Sequence, residues 1–256
     1  MTYLKAKKRL TVRDIRSKKG GPLVCLTAYT HPMALLVDEV ADLILVGDSL
    51  GNVLYGFEST LPVTLEMMIA HGGSVMRGSK RACVVVDMPF GSYQESPAQA
   101  FQNAARVLVE TGCHAIKLEG GEEMAETVSF LTRRGIAVLG HVGLMPQHVH
   151  ARGGFRRESD VDKVVADARA IAQAGAFALV VEGVKEEVAR AVTAGVEVPT
   201  IGIAAGDASD GEIRVTEDLL GVTPNPPGFV EADSGIKDAM RKALSEFAES
   251  LTKPKA

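Results

Sequence analysis

Short, continuous apolar runs recur along the chain and alternate with longer segments whose apolar positions fall at helical spacing. The runs are rich in β-branched residues and bounded by glycine or proline, the pattern of strands buried on both faces of a parallel sheet. It predicts strands at 23–28, 43–47, 82–87, 115–119, 137–141, 178–182, 200–204 and, more weakly, 213–215. Helices are predicted at 64–76, 97–111, 122–134, 160–174 and 185–193. Ser96 and Pro97 supply a cap and a first helical position, and Gly112, Gly135 and Gly175 supply stops. Eight strands alternating with helices imply an α/β chain folded as a (β/α)8 TIM barrel, a single domain over 1–256. An N-terminal extension and a charged amphipathic helix at 233–251, suited to covering the barrel or joining subunits, complete it. A doubly wound open sheet is the competing architecture, but it needs fewer strands and a glycine-rich first turn. The connections at 49–62 and 143–159 exceed what a βα loop requires. They read as lids or substrate-binding loops, or as ordered surface loops.

The chemistry lies where the runs stop. Asp48, Asp87, Glu119 and Glu182 each end one of them, and in a barrel those ends share one face. Taking a carboxylate out of water is costly without a compensating cation or donor. Asp48, Asp87 and Glu119 belong to neighbouring strands two, three and four, and an oxygen-only donor set favours Mg²⁺ over zinc. The alternative is unrelated acids that cap helices or pair with arginine. Lys117 shares a strand face with Glu119, where its ammonium suits a substrate carboxylate, a developing oxyanion, or simple charge balance. Glu182, on strand six, is placed as a general base facing bound substrate, or as half of a buried ion pair. His141 carries less weight, and His148 with His150 is a weak metal signal. Gly120-Gly121 and 202–206 fit turns better than an anion cradle.

Composition removes other classes. A 46% hydrophobic fraction contains no apolar stretch near the roughly 20 residues of a membrane span. A formal charge of −4 leaves no nucleic-acid footprint. Cys25, Cys83 and Cys113 lack metal spacing and read as reduced packing residues. The basic stretch 1–9 runs into polar sequence rather than a signal core. The expectation is a cytoplasmic enzyme acting on small molecules, with neither nucleic acid nor membrane as partner.

Several segments, in order, also carry a family likeness: Leu-Thr-Ala-Tyr at 26–29, Leu-Val-Gly-Asp-Ser-Leu-Gly at 45–51, and Ser-Thr-Leu-Pro-Val-Thr at 59–64. Asp-Met-Pro-Phe at 87–90, Ile-Lys-Leu-Glu-Gly-Gly at 116–121 and Gly-His-Val-Gly-Leu-Met-Pro-Gln at 140–147 follow. Val-Glu-Gly-Val at 181–184 and Asp-Gly-Glu-Ile at 210–213 close the set. With these the chain resembles the ketopantoate hydroxymethyltransferase (3-methyl-2-oxobutanoate hydroxymethyltransferase) family of pantothenate biosynthesis. The resemblance implies a Mg²⁺-binding (β/α)8 barrel, assembled as a homo-oligomer, a decamer. The implied reaction carries a hydroxymethyl group from 5,10-methylenetetrahydrofolate to 3-methyl-2-oxobutanoate through a Mg²⁺-stabilised enolate. It further implies Asp48, Asp87 and Glu119 as metal-site acids, Asp48, Ser49, Asp87 and Lys117 near the oxoacid, and Glu182 as proton acceptor.

The chain departs from the family pattern at Ala204, where glycine is common, at Glu217-Asp218, where His-Asp is frequent, and at Met145, a frequent threonine. An isocitrate-lyase-type carbon–carbon lyase is a second enzymatic reading, but its Lys-Lys-Cys-Gly-His type of loop is missing. A non-catalytic binding barrel is a third, against which intact acids at all these strand ends argue.

Overall fold

The apolar runs pair in chain order into a closed parallel barrel of eight strands. They are β1 (Leu23–Thr27), β2 (Leu43–Val46), β3 (Cys83–Asp87), β4 (Ala115–Glu119), β5 (Val138–Gly143), β6 (Ala178–Glu182), β7 (Thr200–Ile203) and β8 (Gly211–Arg214). The helices are α1 (Val12–Arg16), α2 (His31–Val37), α3 (Leu50–Val53), α4 (Leu65–Gly78), α5 (Pro97–Thr111), α6 (Ala125–Thr132), α7 (Val161–Gln173), α8 (Glu186–Gly195), α9 (Thr216–Leu219) and α10 (Ile236–Thr252). This computed structural model describes residues 9–224, 226–228, 230 and 235–252. The chain divides into two compact units, Met1–Ile213 and Arg214–Ala256. The second carries α9 and α10, along which Ile236, Met240, Leu244, Phe247 and Leu251 recur at helical spacing.

Alternation along each strand separates two cores. Ile44, Val46, Val84, Val86, Ile116, Leu118, Leu179 and Val181 point outward and pack with helix residues such as Val75, Val107, Val128 and Ile171. Leu43, Leu45, Cys83, Val85, Ala115, Leu139, Val180 and Ile201 point inward and fill the barrel. Ile15 of α1 is fully buried in that inner cluster beside Leu23 and plugs the amino end of the barrel. Burying one such side chain contributes about 1.5–3 kcal/mol. The inner series then turns polar toward the carboxyl end: Val85 is followed by Asp87, Ala115 by Lys117 and Glu119, Leu139 by His141, and Val180 by Glu182. The apolar half of the barrel is thus its floor, and the charged half its mouth.

Cys25 and Cys83 belong to the floor, and Cys113 is buried just before β4; all three are free thiols. Burial pushes their thiols up, that of Cys83 to about 12.

Local chemistry explains most boundaries. Ser96 accepts a hydrogen bond from the Gln99 amide at the start of α5, and Gly112 ends it at φ +76 while donating to the Leu108 carbonyl. Several predicted boundaries move. β7 stops at Ile203 rather than 204 because Ala204 turns to φ +50. β5 runs on to Gly143, which pairs with Glu182. The predicted helix 122–134 opens as a 3-10 turn, Glu122–Met124, before α6. The cause is Gly121, where a Cβ would lie 2.0 Å from an Asp167 oxygen; the Asp167 carboxylate fills that space and accepts the Glu122 amide. The expected turn at Gly120-Gly121 is therefore a packing joint. β8 starts at Gly211, two residues earlier than the apolar pattern suggested. The sequence pattern had not marked α2, which Thr30 caps by accepting the Met33 amide, nor α3 inside 49–62. Residues 1–8 of the basic N-terminal stretch and 233–234 of the predicted last helix lie outside the described residues.

Candidate active site

The strand register brings the mouth residues side by side. Asp87 pairs with Lys117 across β3–β4, Glu119 with His141 across β4–β5, and Gly143 with Glu182 across β5–β6. Asp48 lies two residues beyond β2, and its amide donates to Asp87 Oδ2 at 2.9 Å. That approach needs Gly47: a Cβ there would sit 2.8 Å from Ser49 Oγ and 3.6 Å from Asp87 Oδ2. Lys117 Nζ stands 3.3 Å from Asp87 Oδ1 and 3.2 Å from His141 Nδ1. On the other edge of the ring, His141 Nε2 lies 3.3 Å from Glu182 Oε2, off the ideal hydrogen-bond line. Ser49 Oγ is 2.8 Å from the Tyr29 hydroxyl. All six residues expected at the site therefore lie at the carboxyl end, and the contacts link Asp48, Asp87, Lys117 and, through His141, Glu182.

Burial divides the acids. Asp48, Asp87 and Glu119 are 2–4% exposed, whereas the Glu182 side chain keeps 21% of its surface open. Burial pushes the Asp87 carboxyl up to about 7, with the Asp48 charge adding to it and Lys117 opposing. Burial also raises Glu119 well above the carboxylate range, against the pull of Lys117. Burial pulls Lys117 down, but Asp87, Glu119, Asp48 and Glu182 outweigh it and hold the ammonium charged. An ammonium beside Nδ1 makes that nitrogen the acceptor, so the His141 proton sits on Nε2, facing Glu182. Burial and the Lys117 charge lower His141, which stays neutral.

The central residue, which the sequence marked only as the last of the family-like segment 140–147 and without a role, is Gln147. It is 3% exposed in the connection after β5. Its amide nitrogen donates to Asp48 Oδ2 and to the Met88 carbonyl, each at 2.9 Å. Its Oε1 accepts from the Tyr93 hydroxyl at 2.7 Å and from Gln94 Nε2 at 3.1 Å. Its backbone amide donates to Glu119 Oε2 at 3.1 Å. Nothing in Met-Pro-Gln-His foretells this, because every partner is distant in the chain. His148 and His150 lie just beyond and take no part in these contacts.

Glu119 Oε1 is buried without a hydrogen-bond partner, and Asp87 Oδ1 has only the Lys117 ammonium, 3.3 Å away and outside hydrogen-bond geometry. Among the described residues no three His, Cys, Asp or Glu side chains form a ready metal-holding group. Mg²⁺ does not require one, since it commonly takes one or two protein carboxylates and completes its shell with water and substrate. An unpartnered Glu119 oxygen in an all-oxygen set fits that ion.

The family model of ketopantoate hydroxymethyltransferase matches residues 9–255. The chain is 58% identical over 250 residues to the 3-methyl-2-oxobutanoate hydroxymethyltransferase of Paramagnetospirillum magneticum, covering 95% of this chain and 91% of that one. It is 55% identical over 257 residues to the protein of that name from Rhizobium etli, covering 98% and 94%. Among solved structures it resembles 2,3-dimethylmalate lyase, with a TM-score of 0.60 and 16% identity over 94% of this chain and 96% of that one. Phosphonopyruvate hydrolase resembles it with a TM-score of 0.64 and 13% identity over 96% and 92%. These distant likenesses establish the barrel alone, while the sequence matches go further: the chain belongs to the ketopantoate hydroxymethyltransferase family.

Proposed function

We propose that this chain transfers a hydroxymethyl group from 5,10-methylenetetrahydrofolate to C3 of 3-methyl-2-oxobutanoate, giving 2-dehydropantoate (ketopantoate). The observation that carries the reading is the unequal burial of the acids: Glu182 is open at the mouth while Asp87 and Lys117 are paired beneath. An oxoacid entering the mouth meets the open carboxylate first. Its charged end meets Lys117, and its C3–H lies toward Glu182. Ser49, held by Tyr29, adds a hydroxyl beside the same space.

Glu182 takes the C3 proton, and the electron pair moves toward the keto oxygen to form the enolate. Neutral His141 turns its Nε2 proton toward the Glu182 carboxylate, 3.3 Å away, as a weak off-line contact beside the base. Lys117 offsets the negative charge that develops on oxygen. Asp48, Asp87 and Glu119 would hold Mg²⁺, which when bound supplies Lewis-acid charge worth several kcal/mol in such reactions. C3 of the enolate then bonds to the methylene carbon of the folate as one of its two C–N bonds breaks; water displaces the second nitrogen and supplies the hydroxyl oxygen, and the nitrogens take up the proton from Glu182 and one from water as tetrahydrofolate departs.

The test is exchange of the C3 proton of 3-methyl-2-oxobutanoate into deuterated water, with and without Mg²⁺, followed by product analysis with 5,10-methylenetetrahydrofolate. Exchange that requires Mg²⁺ and disappears in Glu182→Gln, with oxoacid binding retained, supports the reading. Exchange at the native rate in that variant removes Glu182 from its role, and lack of ketopantoate with the folate present removes the transfer.

A further inference from the structure

Gln147 spends all four hydrogen-bonding positions of its side-chain amide inside the site. Both N–H groups are donated, to Asp48 Oδ2 and the Met88 carbonyl, and Oε1 accepts from Tyr93 and Gln94. The surrounding groups leave no freedom to reverse the amide, since two acceptors face its nitrogen and two donors its oxygen. Tyr93 in turn accepts the backbone amide of Glu119, and the backbone of Gln147 binds Glu119 Oε2. One oxygen of Asp48 and one of Glu119 are thereby tied to neutral donors. What remains free on Glu119 is Oε1, the buried oxygen without a donor. Gln147 reaches Asp48 across 99 positions of sequence and anchors the connection after β5 to the ends of β2, β3 and β4.

We infer that Gln147 is a positioning residue for the carboxylate ring: its side-chain amide fixes the rotamer of Asp48, while its backbone N–H, held in place by that anchorage, fixes Glu119, so that their free oxygens face a divalent cation. The inference rests on the metal role given to those acids above. A neutral amide suits the task. It satisfies one oxygen of Asp48 without cancelling the charge that attracts the cation, which an arginine or lysine here would do. Losing an outer hydrogen bond of this kind ordinarily weakens metal affinity about 10–100-fold.

The experiment measures Mg²⁺ binding to the metal-stripped full chain by calorimetry, without substrate, in wild type, Gln147→Met and Tyr93→Phe. Methionine keeps the length and volume of the side chain and deletes its polar atoms. Phenylalanine keeps the Tyr93 ring and deletes the hydroxyl that orients the Gln147 amide. The expected result is a Mg²⁺ Kd raised about tenfold or more in Gln147→Met and less in Tyr93→Phe. A purely structural role would lower the melting temperature and leave Kd where it was. A folded Gln147→Met with wild-type Kd overturns the inference; if that variant does not fold, an unchanged Kd in Tyr93→Phe does the same. Wild type that takes up no Mg²⁺ overturns the metal reading first and this inference with it, so the two failures are distinguishable.

Discussion

Asp87 and Lys117 are register partners on β3 and β4, and Lys117 Nζ lies 3.3 Å from Asp87 Oδ1, both side chains nearly inaccessible to water. Removing one member of such a pair leaves the other charge buried alone, which costs about 3–5 kcal/mol. Lys117→Met is expected to lower the unfolding free energy in urea by that order. Asp87→Asn added to Lys117→Met should recover part of the loss, since the orphaned acid is then gone. A Lys117→Met protein as stable as wild type would show that the pair carries no such energy.

The raised Asp87 gives the metal-free protein a definite pH response. Its folded pKa, about 7, lies above the ordinary carboxylate value, so the folded state holds an extra proton between them. Its contribution is complete below about pH 4 and is lost as pH rises through about 7. Lys117 remains protonated across that window. Melting temperatures of the chelator-treated protein should fall from pH 4 to 7 more steeply in wild type than in Asp87→Asn. Parallel curves would remove Asp87 as the source.

Asp38 works in the opposite sense. It accepts from the Ser79 hydroxyl and the Lys80, Arg81 and Ala82 amides at 2.7–2.9 Å, pinning the end of α2 to the turn before β3. Burial opposes ionisation there, but the Ala82 amide, the Ser79 hydroxyl and the Lys80 and Arg81 amides outweigh it and hold the carboxyl below its usual value. That stabilisation is present above about pH 4 and is lost as pH falls through the lowered pKa. Asp38→Ala is expected to cost about 2 kcal/mol at neutral pH, and acid titration by circular dichroism should show a smaller drop below pH 4 in the variant. An unchanged acid transition would count against Asp38.

Ala204 holds φ +50 at the end of β7, in the left-handed region that disfavours a Cβ. Glycine, which carries no Cβ, removes the strain. Ala204→Gly should therefore stabilise the chain by about 1 kcal/mol, read as a higher urea midpoint with an unchanged slope. A lower midpoint would mean that the methyl contributes packing that outweighs the strain.

The barrel was legible because buried parallel strands write themselves as unbroken apolar runs, and 115–119 and 178–182 agree with β4 and β6 to the residue. The ends drifted where a tertiary contact decides them. The pairing of Gly143 with Glu182 lengthens β5, and Asp167 against Gly121 tightens the start of α6 into a 3-10 turn. Asp48, Asp87, Lys117, Glu119 and Glu182 could be picked out because a charge closing an apolar run is conspicuous. Gln147 could not, since a neutral amide in a loop gains its meaning from Asp48, Met88, Tyr93 and Glu119, none of them near it in sequence. His141 was visible only as a strand-end histidine; its place between Lys117 and Glu182 comes from barrel closure.

Cys25 and Cys83, sealed in the apolar floor beneath the mouth, have a practical consequence. A thiol reagent reacts with the thiolate and needs access, and both are denied while the strands stay paired. Alkylation of these sulfurs thus clocks the opening of the barrel itself. The chain carries its own stopwatch for global unfolding, blind to whatever happens at the catalytic end.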